Sequence, residues 1–217
     1  MYTLSVDTTH YTSLALSVGK KIISHKRNSN PASQSESLPR LLSELMSEAD
    51  ADHADIDYIV LNVGPGSFTG IRSGISMCEA IKIANNDVQY VKVTSFDIGA
   101  HRAIRQVHEY NYLMIICNWT NSNYCVAIYD NGNNLVLDPQ IIDRNAIADN
   151  ISKLNNKIIC TGSGVYSCHK TLLQNPNVSL LPRFNYSDAK TVSDVGYYKI
   201  CKDDFIKSFE VFDPSNN

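Results

Sequence analysis

The sequence predicts an α/β protein of two lobes, each a β-meander followed by alternating helices and strands. Three observations carry this. Strand-like runs broken by turn residues open both halves, near-continuous apolar runs at 57–63 and 157–162 read as strands covered on both faces, and helical apolar periodicity lies around them. With 43% hydrophobic residues in 217, the chain has enough apolar surface for proper cores.

The first lobe opens with strands at 2–7, 12–18 and 21–26, the last two joined by a Gly19-Lys20 turn. An amphipathic helix follows, with Leu38, Leu41, Leu42, Leu45, Met46 and Ala49 at spacings of three and four and Ser33, Ser35 and Ser37 as candidate caps. Pro39 must sit near its first turn or kink it. A buried strand at 57–63, a long helix after Gly64-Pro65-Gly66, a strand at 90–93 and a helix to about Arg105 complete the order βββαβα, then βα.

From about Tyr110 the pattern restarts, with strands at 112–118 and 123–130, a short one near Leu135, a helix at 144–154 and a buried strand at 157–162. A helix is predicted at 193–202, and the tail beyond it has no assignable structure. The boundary is expected at 106–111, giving an N-terminal lobe at 1–108 and a smaller, degenerate C-terminal lobe at 109–217.

Composition narrows the function. A net charge of −3 argues against a chain that grips a phosphate backbone alone, because such binding neutralises several phosphates with Lys and Arg. If RNA is involved, a partner is expected to hold it. No run approaches the roughly 20 apolar residues of a membrane span, and the N-terminus lacks a basic segment followed by an apolar one, so a cytoplasmic protein with no membrane contact is expected. Six scattered cysteines include no CxxC pair and read as small buried hydrophobes. The six His (10, 25, 53, 101, 108, 169) include no pair one helical turn apart, the spacing that aims two imidazoles at one metal, so no metal site is expected.

The densest signal is Gly64-Pro65-Gly66-Ser67-Phe68-Thr69-Gly70-Ile71-Arg72-Ser73-Gly74. Two glycines around a proline permit a tight strand-to-helix turn, and Ser67 can cap the helix. Along it Gly70, Gly74, Met77 and Ile81 line one side and Phe68, Ile71, Ile75 and Cys78 an adjoining one, leaving a narrow polar edge of Arg72, Ser76 and Glu79. So much apolar surface needs two neighbours. One is its own sheet; the other is the helix at 38–49, a second protein, or both. Gly70 and Gly74 remove side chains where another backbone can approach, which offsets the roughly 1 kcal/mol that Gly costs in a helix interior. Internal packing alone is the alternative.

This segment closely resembles the GPGSFTG-hR-hG signature (h, hydrophobic) of the bacterial TsaB (YeaZ) proteins, members of the RNase H-like/actin-like ATPase superfold shared with sugar kinases. LSVDTT (4–9) looks like the family's first strand and turn, SLPRLL (37–42) like the start of its first helix, VTSF (93–96) like its VSSL, and Cys160-Thr161-Gly162-Ser163-Gly164 is similar to its second-lobe GxG turn. The resemblance covers residues 1 to about 105 and is looser beyond. It departs at Gln34-Ser35-Glu36, where the family often has His, at Ser73, usually aliphatic, and at Asn118-Trp119-Thr120 with Asn123, usually DAR...E.

The resemblance implies a non-catalytic scaffold subunit of the machinery that attaches threonylcarbamoyl to tRNA, partnering the catalytic paralogue TsaD and, through it, TsaE. It also implies that helices 35–49 and 68–84 build the TsaD interface and can self-associate as a homodimer. The expected interface residues are Leu38, Leu41, Leu42, Leu45, Phe68, Gly70, Ile71, Gly74, Met77, Cys78 and Ile81. An enzyme, either a small-molecule kinase or a peptidase of the superfold, is the alternative.

Asp7-Thr8-Thr9 sits where kinases of this superfold place a phosphate loop, so these three are the candidate cofactor residues; a locally hydrogen-bonded turn is the other reading. No cofactor is implied beyond a nucleotide at the subunit junction, which stays open. The sequence holds no GxSxG or HExxH to support a hydrolase.

Overall fold

A computed structural model describes residues 1–28, 30, 34–181 and 186–216. The chain forms two compact units, one of Met1–Thr94 with Ser187–Phe212 and the other of Ser95–Tyr186 with Asp213–Asn217.

The first unit contains β1 (Tyr2–Asp7), β2 (Thr12–Val18), β3 (Lys21–Asn28), α1 (Gln34–Glu48), β4 (Ile56–Asn62), α2 (Phe68–Ala84), β5 (Gln89–Val93) and, from the chain's far end, α6 (Ala189–Ile200). Its sheet has the order β3-β2-β1-β4-β5. The meander pairs antiparallel, and β1-β4 and β4-β5 pair parallel, as strands joined through helices must. In the second unit, after α3 (Ser95–Gln106), come β6 (Tyr112–Asn118), β7 (Asn123–Asp130), β8 (Leu135–Asp143), α4 (Arg144–Ser152), β9 (Ile158–Thr161), α5 (Val165–Leu172) and β10 (Val178–Leu180). Its sheet order, β8-β7-β6-β9-β10, repeats that of the first with the same directions. The fold is the α/β architecture expected, two mixed sheets each flanked by helices.

Strand period decides which side chains meet which helices. In the first unit Leu4, Val6, Leu14, Leu16, Ile59 and Leu61 form one core with Leu38, Leu41, Leu42 and Leu45 of α1 and Cys78 and Ile81 of α2. The opposite face, polar or small at Ser13, Ala15 and Ser17, receives α6. There Ala189 N donates to Ser13 Oγ (3.1 Å), Ser193 Oγ donates to Ser17 Oγ (3.1 Å), and Gly196 lies against Val60.

The unit boundary differs from the expected one. Helix α3 belongs with the second unit, its Gly99 packed on Ile115 of β6, so the division falls at 94/95 and not at 108/109. Helix α6 and the segment after it belong with the first unit, so residues 187–212 are not part of the C-terminal lobe. That segment runs along β5: Ile206 N donates to Tyr90 O (3.0 Å), Phe209 packs on Tyr90 with ring centroids 4.4 Å apart, and Phe212 N donates to Val63 O (2.9 Å). It covers an edge strand whose backbone groups would otherwise stand open to pairing.

Among the cap candidates, Ser33 lies outside the described residues, and of Ser35 only the backbone is described. Pro39 lies inside α1, which continues past it to Glu48.

Candidate docking groove

Helix α2 starts where expected. Ser67 is its N-cap, its Oγ accepting from Gly70 N at 3.1 Å. Helix α1 packs beside α2 on the same sheet face, and a groove of about 660 Å³ lies between them. Leu38, Leu42, Met77 and Ile81 supply its apolar floor, and Pro39, Ser73, Ser76, Ala80 and Ala84 its walls. His53, from the short 3-10 turn before β4, stands at one side.

The expected interface residues divide. Leu45 and Cys78 are fully buried, Leu41 is 3% exposed and Ile71 1%, and Gly70 is buried as well, so these hold the unit together. Leu38, Leu42, Met77 and Ile81 reach the groove. Phe68 is 60% exposed, with the Arg72 guanidinium 5.5 Å from its ring. Gly74 is corrected: its missing side chain does not make a notch for another protein. A Cβ there would stand 2.8 Å from Thr8 Oγ1 and 3.2 Å from Leu61 Cδ1, so the glycine lets α2 approach its own sheet.

Sequence reasoning missed the small residues Ala80 and Ala84, and placed Ser73 and Ser76 on no apolar surface. The signal was present, since 73, 76, 80 and 84 recur at three and four, but small side chains contribute little to a count of apolar bulk.

Behind α2 the loop after β1 is closed by the chain itself. Asp7 Oδ1 accepts from Thr9 N (2.9 Å) and Thr9 Oγ1 (2.7 Å), and Asn62 Nδ2 donates to Asp7 Oδ2 (3.4 Å) and to Ser187 Oγ (3.2 Å). Ser67 N donates to Thr9 O at 2.7 Å, and a Cβ on Gly66 would stand 2.5 Å from Thr9 Cβ. Asp7 is 1% exposed, Thr8 0% and Thr9 7%. The three candidate cofactor residues thus come together, but as a buried lock between β1 and the Gly-Pro-Gly turn, with both Asp7 oxygens taken by protein donors. Asn62 and Ser187, which complete it, lie 55 and 180 positions from Asp7 and carry no local signal.

The second unit's Gly162-Ser163-Gly164 turn packs on β6, Gly164 N donating to Ile116 O at 2.8 Å. Asn118, one of the departures from the family pattern, ties it down. Its N donates to Ser163 Oγ (3.0 Å), its Nδ2 to Ser163 O (2.9 Å), and its Oδ1 accepts from Ser167 Oγ (3.1 Å).

Among the described residues no three His, Cys, Asp or Glu converge to hold a metal, and no helix is long and apolar enough to cross a membrane. Five of the six cysteines are buried and all six are unbridged. Burial pushes the Cys117 and Cys125 thiols up to about 12, far from a reactive thiolate.

Comparison with known proteins agrees with the α/β fold. A family model described as TsaD, tRNA N6-adenosine threonylcarbamoyltransferase, matches residues 22–134, just over half of the chain. The tRNA threonylcarbamoyladenosine biosynthesis protein TsaB of Buchnera aphidicola subsp. Schizaphis graminum (strain Sg) is 26% identical over 166 residues, 74% of this chain and 78% of that protein. Among solved structures, YeaZ from Pseudomonas aeruginosa is similar with a TM-score of 0.77 at 18% identity, over 95% of each chain. A Bacteroides thetaiotaomicron protein with actin-like ATPase fold is similar with a TM-score of 0.52 at 10% identity, over 89% of this chain and 95% of that one.

Proposed function

The chain belongs to the TsaB/YeaZ family of tRNA threonylcarbamoyladenosine biosynthesis proteins, with the actin-like ATPase fold, and on that premise we propose that it is a non-catalytic subunit that docks TsaD through the α1/α2 groove and makes it competent for transfer. One observation carries the proposal: an apolar groove of about 660 Å³ lies between two helices that already share a sheet core. Such a surface fits an amphipathic helix of a partner, which buries apolar residues spaced three and four apart. The sequence has no pair of His one turn apart and Asp7 is sealed, which supports the assignment of chemistry to the partner. TsaE then acts through TsaD, and the complex works in the cytoplasm.

Self-association through the same groove is the competing use of this surface. Co-expression with the cognate TsaD, size-exclusion chromatography, and an assay of tRNA modification with each component omitted test the proposal. It expects a stoichiometric complex, no modification without this chain, and displacement of any homodimer by TsaD. Full modification by TsaD and TsaE alone, or modification by this chain without TsaD, overturns it.

A further inference from the structure

The hairpin that joins β7 to β8 holds the single Asn-Gly pair of the sequence, Asn131-Gly132. Both residues are exposed, in a turn organised by the Asp130 carboxylate. Asp130 Oδ1 accepts from Gly132 N (2.9 Å), Asn134 N (2.8 Å) and Asn134 Nδ2 (3.2 Å), and Oδ2 accepts from Asn134 Nδ2 (3.0 Å). The backbone closes the same turn, Asn133 N donating to Asp130 O (3.1 Å) and Asp130 N to Asn134 O (2.9 Å). These donors, the Asn134 side chain first, hold the Asp130 carboxyl below its ordinary pKa, so it is ionised at neutral pH.

An asparagine followed by glycine can react with its own backbone. The next residue's nitrogen attacks the side-chain amide carbon, and glycine leaves that nitrogen uncrowded because it has no Cβ. Among the described residues none bonds the Asn131 side chain, which is free to turn toward Gly132. Before it attacks, however, the Gly132 N–H must lose its proton, and here it points into a carboxylate. A negative charge at that distance disfavours a second one on the nitrogen.

We propose that Asn131 is a self-modification site held in check by Asp130. When the turn opens, the Gly132 N–Asn131 Cγ bond forms and the Cγ–Nδ2 bond breaks, and the amide nitrogen leaves as ammonia with the proton that Gly132 lost. One water then opens the cyclic imide at either carbonyl, giving aspartate or isoaspartate. Isoaspartate adds a methylene to the main chain of a turn whose length sets the register of β8 on β7, starting at Tyr129 and Leu135. Strand β8 lies at the sheet edge, and Leu135 and Val136 beside the turn are 49% and 50% exposed, so little packing resists a shift.

The test holds the full-length chain in mildly alkaline buffer and maps the tryptic peptide 106–144 by mass, locating the site by fragmentation and isoaspartate by methyltransferase labelling. A like charge beside an ionising group shifts it by about one unit or more, so the native chain should modify at Asn131 at least ~tenfold more slowly than the urea-unfolded chain. For the same reason Asp130→Ala should modify ~tenfold faster than wild type. Asp130→Ser keeps an acceptor for the turn without the charge, so it should also react faster, and it replaces Asp130→Ala where thermal melting shows that variant unfolded. Gly132→Ala puts a Cβ beside the nucleophile, at a position whose φ is not positive, and should suppress modification in every background. Native wild-type chain that reacts at the unfolded rate overturns the proposal. So does a folded Asp130→Ser chain that reacts no faster than wild type, or modification of Asn121 or Asn133 ahead of Asn131.

Discussion

Gly74 of α2 rests on Thr8 of the loop after β1, with only 2.8 Å between an added Cβ and Thr8 Oγ1. The Leu61 side chain closes the same space from β4 at 3.2 Å. A bulky residue here must push α2 off its sheet. Gly74→Leu should therefore lower stability by about 1–3 kcal/mol, the usual cost of overpacking, or more. Urea unfolding measures it, and an unchanged midpoint would contradict the packing described.

Ala80 makes the complementary case. It is exposed on the groove wall, so Ala80→Arg should shift stability by no more than about 0.5 kcal/mol while removing most TsaD co-purification, because it sets a charge in an apolar groove. The pair of variants separates folding from docking. A folded Ala80→Arg chain that still recovers TsaD at the wild-type ratio speaks against the groove.

Phe209 is 5% exposed and packs on Tyr90, whose hydroxyl donates to Cys78 O at 3.1 Å. The segment after α6 is thereby stitched into the core of the first unit. Phe209→Ala should cost about 3–5 kcal/mol and speed exchange of the β5 amides. Wild-type stability in that variant would mean the segment does not hold β5.

His25 sets a pH dependence. Its folded pKa lies below the ordinary 6.5, because of burial first and then neighbouring cations, chiefly Lys190. Below pH 6.5 the unfolded chain thus binds more protons than the folded one, so stability is full above that point and falls as pH drops through the window beneath it. His10, lowered by burial and by Arg27 against the opposing Asp7, adds to the same slope. Melting curves between about pH 7 and pH 5 should show the fall, and His25→Asn should flatten it. Equal slopes in the two proteins would remove His25 as a cause.

Much of the fold was legible because local chemistry bounded it. Strands 2–7 and 12–18 match β1 and β2, since alternating apolar residues stop at turn residues on each side. Strand β8 was legible only near Leu135 because both its faces are largely open, leaving no alternation over its nine residues. Helix α6 begins at Ala189 and not at residue 193, since Asp188 caps it and Gly196, a poor helix former, is used to approach Val60. Helix α5 and strand β10, of eight and three residues, were too short to show a period.

The site was half legible for a related reason. Apolar bulk marked the faces of α1 and α2 that bury, but a groove is made by what is missing, and Ala80 and Ala84 mark it by their smallness. Whether Gly74 faced a partner or its own sheet could not be read from spacing, because the answer lay in Thr8, 66 positions away.

The central claim is tested most directly by hydrogen–deuterium exchange on this chain, alone and mixed with the cognate TsaD. The account predicts slowed exchange confined to residues 35–49 and 68–84, with the α6 and β8 amides unchanged. Protection that falls on β8 or α6 while α1 and α2 exchange as in the free chain would contradict it.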